Sequence, residues 1–197
     1  MQDQKKTTSQ SFLSAPIAGR SSPSVVANTM NSENRASVLL VVDGPNLFHG
    51  GLDEFPDKSI VRVDFMRLRK RAERYGDVDQ AVAFVVTAPG DRSTGVIGAL
   101  KRCGFDVRHK ELSYHGNKVK GANCEVDVSV EVMDCVDDYD RLVLVTGSRS
   151  YVPLVDRVKG LGKRVTVMMF SSALSQDLAD MADNVLPLGS SDLLQGR

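Results

Sequence analysis

The sequence predicts an α/β fold in three layers, with helices covering both faces of a central, mainly parallel sheet. Three observations predict it. The runs Val38–Val42 and Leu142–Val145 are apolar without polar alternation, which suits strands covered on both faces. The first ends on Asp43-Gly44-Pro45-Asn46 and the second on Thr146-Gly147-Ser148-Arg149-Ser150, turns of small or polar residues that break strand pairing. Strand-like and helix-like segments then alternate along the chain, and right-handed crossovers stack such segments as helix, sheet, helix.

Taken in order, Val38–Val42 is the first strand, and the Gly50–Ser59 stretch reads as a turn-rich loop. Val63–Tyr75 follows as a helix. Phe65, Leu68 and Ala72 fall on one face at three- and four-residue steps, Arg67, Arg69, Lys70, Arg71 and Arg74 crowd the others, and Gly76 stops it. The basic surface could contact phosphates, but it reads first as an ordinary solvated helix face. Ala81–Val86 is a buried strand, and Pro89-Gly90-Asp91 turns the chain into a helix through Val96, Ile97, Leu100 and Cys103 that ends at Gly104. Phe105–Leu112 is a third strand and Tyr114–Lys118 a polar loop. Glu125–Val132 alternates valine with acid or hydroxyl, the period of a half-buried strand. It nevertheless lies where a parallel crossover needs a helix, and the topology predicts a helix there. The remaining elements are a strand at Arg141–Val145, a helix from Tyr151, a strand at Arg164–Met169, a helix at Ala173–Met181 and a last strand at Val185–Leu188.

With 197 residues and 42% hydrophobic content, the chain can bury one substantial core, expected over residues 37–190 between tails at 1–36 and 191–197. The first tail is dominated by Ser, Thr, Gln, Asn and Pro and shows no apolar period, the composition of a disordered segment. Its Lys5, Lys6, Arg20 and Arg35 with few acids suit organellar targeting, against which stand Asp3 and the poor amphipathicity. Lys+Arg and Asp+Glu are equal at 25 each, so nucleic acid would have to be held by a local patch. Three widely spaced cysteines without a CxxC pair argue against a disulfide framework or a zinc site, and for buried thiols in a reducing, cytoplasmic compartment. No apolar run reaches the roughly 18 residues of a membrane span.

The chemistry concentrates at two strand ends. If the Val38 and Arg141 strands are neighbours, about 4.8 Å apart, their carboxyl ends bring Asp43 and Thr146 to Ser150 to one crevice, where open parallel sheets bind ligands. Asp43 and Asn46 offer oxygen ligands to a hard cation or polar groups to a substrate, and are equally suited to capping the next helix. The acids of the 125–134 segment are candidates for the same crevice: on a helix Glu125 and Ser129 share one face, Asp127, Glu131 and Asp134 another. A dehalogenase-like phosphatase would need an Asp where Pro45 stands, and neither GxxxxGK[ST] nor GxGxxG is present.

Four patches in this order resemble the NYN family of PIN-like nuclease domains, over roughly Val38–Leu188. They are Val41–Phe48; Lys118–Gly121 with the acidic segment from Glu125; Tyr139–Gly147 running into Val152–Val155; and Gly162–Val165 with Ala182-Asp183. The resemblance implies an RNA-directed phosphodiesterase fold in which acids gather around Mg²⁺ or Mn²⁺, hard cations that prefer oxygen ligands and can activate a bound water. It matches Asp43 to the first family acid, Asn46 to its partner amide and Glu125 to a second acid, with Asp127 the match if a gap is moved. Asp43, Asn46 and Glu125 are then the catalytic candidates and Asp43, Glu125 and Asp127 the metal ligands. Thr146, Ser148, Arg149 and Ser150 would contact substrate.

The third patch departs from the family. Where the family has Ser or Thr, Gly, Asp, any residue, Asp, Phe, this chain has Thr146-Gly147-Ser148-Arg149-Ser150-Tyr151. Two carboxylates are replaced by hydroxyls, which attract a divalent cation far less, and Arg149 adds a positive charge. Three functions stay open on this reading: a metal-dependent ribonuclease, an inactive RNA- or phosphate-binding module, and an interaction scaffold acting through the tail or a homodimer face.

Overall fold

The computed structural model describes residues 35–57, 61–88, 94–115, 118–120 and 123–194. The 1–34 part of the expected tail lies outside the described residues. The fold is the α/β sandwich of the sequence expectation, built on a six-stranded, wholly parallel sheet. Its strands are β1 (Ser37–Asp43), β2 (Asp77–Thr87), β3 (Asp106–Glu111), β6 (Arg141–Val145), β7 (Arg164–Phe170) and β8 (Asn184–Leu188). The spatial order β3-β2-β1-β6-β7-β8 runs outward from β1 first in one direction and then in the other. The reversal falls between β1 and β6, so the crevice outside their carboxyl ends is the topological switch point.

Helices α1 (Gly44–Glu54), α2 (Phe65–Ala72) and α3 (Thr94–Arg102) belong to one face, and α4 (Glu125–Asp134), α5 (Val152–Gly160) and α6 (Gln176–Met181) to the other. Alternation along β1 feeds both. Val38, Leu40 and Val42 enter the core under α1 to α3, whereas Leu39 and Val41 enter the core under α4 to α6. All five are essentially inaccessible, which is why this strand carries no polar residue between Ser37 and Asp43.

Where the structure differs from the sequence expectation, the reasons are local. Gly50 and Gly51 lie inside α1 rather than in a loop. A Cβ on Gly50 would run into Met169 and Ala173, and one on Gly51 would lie 2.7 Å from Val61, so both glycines let the helix press onto β7 and its neighbours. The Tyr114–Lys118 stretch contributes to an antiparallel hairpin of β4 (Ser113–His115) and β5 (Lys118–Lys120). Three-residue strands carry too little period to be read. Residues 191–194, expected to begin a tail, close onto the domain: Leu193 bridges Val63, and Asp192 is 1% exposed. The ambiguous valine segment is α4. Its period of two arises because Val128 and Val132 are buried while Val126 and Val130 face outward, two i,i+4 pairs on opposite sides of one helix. Among the described residues no helix is long and apolar enough to cross a membrane.

Candidate functional site

Strand parity aims the first acid. Asp43 continues the Leu39, Val41 series, so its side chain turns toward the α4 and α5 layer, and Thr146 continues Leu142, Leu144 to the same side. Val42 pairs with Val145 across the β1–β6 ladder, which sets Asp43 and Thr146 side by side one residue further on. Both are buried, at 3% and 0% exposure.

The Asp43 carboxylate is enclosed by donors. On Oδ1 it accepts the backbone N–H of Asn46 at 3.1 Å, as the N-cap of α1, and the Cys124 thiol at 3.4 Å. On Oδ2 it accepts the Tyr151 hydroxyl at 2.8 Å, and the Thr146 hydroxyl lies 3.4 Å away. Thr146 shares its single proton between this oxygen and Asn46 Oδ1, 3.1 Å away. Two donors per oxygen fill the roughly four lone-pair positions a carboxylate offers. All four donors are neutral.

Asn46 ties the two strand ends together. Its amide oxygen accepts the Gly147 N–H at 2.7 Å, in addition to the Thr146 hydroxyl. Gly147 is required there, because a Cβ would overlap the Ala173 carbonyl. Beyond it, the Ser148 N–H donates to Thr146 Oγ1 at 3.3 Å, and Ser148 Oγ donates to Glu125 Oε1 at 2.9 Å while accepting Ser150 N–H at 3.3 Å. Glu125 is held on its other oxygen by the Asn123 amide at 3.5 Å. The crevice therefore gathers Asp43, Asn46, Thr146, Ser148 and Glu125 into one chain of hydrogen bonds.

The other candidates lie at its margins. Asp127 accepts an ion pair from Lys110 of β3 at 3.0 Å, so its charge is engaged outside that chain. Arg149 is 79% exposed and pairs with Asp177 at 3.5 Å, and Ser150 is exposed at the rim beside Glu125 and Ser129. Among the described residues no group of three or more His, Cys, Asp and Glu side chains is arranged to hold a metal ion. Two residues that sequence reasoning did not place in the site, Tyr151 and Cys124, supply half of the donors to Asp43. Tyr151 stands where the family pattern has Phe; a fully buried phenol must hydrogen-bond, and that substitution was the available signal.

Burial, followed by the adjacent Asp43 carboxylate, pushes both the Cys124 thiol and the Tyr151 phenol well above their ordinary values. A raised folded-state pKa contributes stability that is complete below the unfolded value and declines as pH rises through the folded one. Unfolded thiols and phenols ionise near about 8.5 and 10. The denaturant midpoint is therefore expected to fall progressively above about pH 8.5, and Cys124→Ala or Tyr151→Phe to flatten that decline. Cys135 and Tyr139, also raised by burial, leave a residual slope. A decline unchanged in both variants would contradict the assignment.

The NYN domain profile matches residues 37–189. The chain belongs to the NYN domain family. It is similar to an uncharacterized protein of Methanocaldococcus jannaschii, 23% identical over 154 residues, covering 77% of this chain and 55% of that protein. It is also similar to the low amplitude and bright protein LabA of Synechococcus elongatus, 21% identical over 160 residues, covering 77% of this chain and 83% of LabA. The chain thus spans little more than half the length of the archaeal relative. A solved structure of a protein of unknown function from Vibrio parahaemolyticus has the same fold, with a TM-score of 0.73 at 23% identity over 84% of this chain and 100% of that one. The NYN domain is a PIN-like nuclease-family domain, which suggests an RNA-related function and nucleic-acid binding; PIN-like nucleases are generally metal-dependent.

Proposed function

We propose that this NYN domain acts on RNA as a binding module, with a crevice that has exchanged metal coordination for internal hydrogen bonds. The observation that carries this reading is the state of Asp43: two neutral donors on each oxygen and 3% exposure leave no lone pair directed at a cation. The donor set does not fit Mg²⁺ or Mn²⁺. A hard cation wants several oxygen ligands and retained waters, and the second acid, Glu125, is already the acceptor of Ser148. Ser148 and Ser150 add hydroxyls at the positions where the family pattern has carboxylates.

The crevice residues then act by holding shape. Asp43 gathers β1, α4 and the turn after β6; Asn46 clamps Gly147; Ser148 caps the 3-10 turn Arg149–Tyr151 and steadies Glu125. Arg149 and Ser150 remain the exposed rim groups able to meet a phosphate or sugar. The test is incubation of the full chain with labelled single-stranded RNA, with Mn²⁺ or with chelator. Salt-dependent binding without cleavage in either condition is expected. Cleavage that needs Mn²⁺ and disappears in Asp43→Asn would overturn the reading in favour of a metal-dependent ribonuclease.

A further inference from the structure

On the other side of the sheet, a groove of about 1060 Å³ runs between α2 and the segment after β8. Its helical wall carries Arg67, Lys70 and Arg71, with Arg74 in the turn just after the helix, and Arg35 also lines it; the opposite wall is Pro187 to Gly189 with Ser191 and Asp192. Arg67, Lys70 and Arg71 are spaced i, i+3, i+4 on α2 and so share one face, Arg74 extends the row from the turn that follows the helix, and Phe65, Leu68 and Ala72 hold the other face in the core. Five cations face three acids, and two of those acids are already committed. Asp64 caps α2 through the Arg67 N–H, and buried Asp192 accepts Arg71 and the Gly189 N–H.

Asp192 also sorts the arginines. It ion-pairs Arg71, whose second nitrogen donates to the Pro187 carbonyl at 2.7 Å, so that fork is consumed by the protein. Arg67 reaches the same carboxylate only at 3.5 Å, without a hydrogen bond, and is 53% exposed. Among the described residues no carboxylate pairs with Lys70 or Arg74. Arg67, Lys70 and Arg74 therefore keep N–H groups for a ligand. They are strung over roughly 10 Å along α2 and the turn that follows it rather than converging on a point, which suits a run of phosphates better than a single one. The lining contains no aromatic side chain, so bases have nothing to stack on.

We infer that this groove is a second nucleic-acid site, one that holds the phosphodiester backbone of single-stranded RNA through Arg67, Lys70 and Arg74 without reading sequence. The inference rests on the RNA reading of the crevice and adds to it the patch that a chain of zero net charge needs.

The test measures anisotropy of a labelled single-stranded oligoribonucleotide against the full chain over a KCl series, for wild type, Lys70→Glu/Arg74→Glu and Arg149→Ala. Both altered residues are exposed, and an unchanged unfolding midpoint checks the fold. The double variant is expected to weaken binding about tenfold or more and to reduce the slope of log K against log salt by about 1.4, two phosphates at roughly 0.7 each. Oligomers of different base composition should respond alike. Wild-type binding that survives the double change but falls in Arg149→Ala would overturn the groove and leave the crevice reading intact. Absence of wild-type binding would overturn both. Loss of binding to anionic lipid vesicles but not to RNA would assign the groove to a membrane surface instead and overturn the inference.

Discussion

Asp43→Ala is expected to destabilise the domain by about 3 to 4 kcal/mol, measured as the unfolding free energy in the presence of chelator. Three losses add to this. The N-cap of α1 disappears, at about 1 kcal/mol. The Tyr151 hydroxyl, with no exposed surface, loses its acceptor, and an orphaned buried donor costs about 1 to 3 kcal/mol. The Cys124 thiol, a weaker donor, is orphaned with it, whereas Thr146 can still donate to Asn46. For a domain of this size such a loss lowers the melting temperature by roughly 10 °C. Asp43→Asn should cost about half as much, since one carbonyl oxygen remains to accept from Tyr151 or from the cap.

The sign makes this prediction decisive. A carboxylate that waits beside other acids for a cation is a source of strain in the metal-free protein, and its removal leaves stability unchanged or raises it. A carboxylate already saturated by hydrogen bonds is a structural hub, and its removal does the reverse. Equal or greater stability of Asp43→Ala in chelator would therefore return Asp43 to the role of metal ligand.

Much of this arrangement is legible in the chain because burial imposes it. Val38–Val42 must be central, since no polar residue interrupts it, and a central first strand places its carboxyl end at the switch point. The convergence of Asp43 with Thr146 and Ser148 follows from that single inference. What resists reading is whatever depends on a partner distant in sequence. Glu125 and Asp127 are both acids on the first turn of α4, and only the packing of that helix against β3 hands Asp127 to Lys110 and leaves Glu125 to Ser148. Tyr151, in an apolar helical pattern, reads as core and is core; its hydroxyl becomes part of the site only because α5 begins beneath Asp43. The basic face of α2 looks like solvated surface until residues 187–192 form a wall opposite it, and two apolar residues near the chain end carry no period that announces such a return.

The triple change Ser148→Asp, Ser150→Asp, Tyr151→Phe is expected to create a Mn²⁺-dependent stability that the wild type lacks. Each substitution acts on a separate obstacle. Losing the Tyr151 hydroxyl frees a lone pair on Asp43 Oδ2, now filled at 2.8 Å. Aspartate at 148 brings a carboxylate to the place from which Ser148 Oγ reaches Glu125 at 2.9 Å, and aspartate at 150 adds another at the rim. In chelator these like charges repel, so the variant should be less stable than wild type by about 2 to 3 kcal/mol, counting the lost phenol bond. A cation that binds only the folded form adds about 2.7 kcal/mol at a hundredfold excess over its dissociation constant. Saturating Mn²⁺ should therefore recover most of the deficit, seen as a rise in melting temperature that chelator reverses, while wild type does not respond. Tyr151→Phe alone and the two serine changes alone are each expected to respond weakly, because one supplies lone pairs without charge and the other charge without access to Asp43. An equal Mn²⁺ response in wild type would mean that Asp43 and Glu125 already suffice for a metal site. No response in the triple variant would mean that neither the tyrosine nor the serines withhold one.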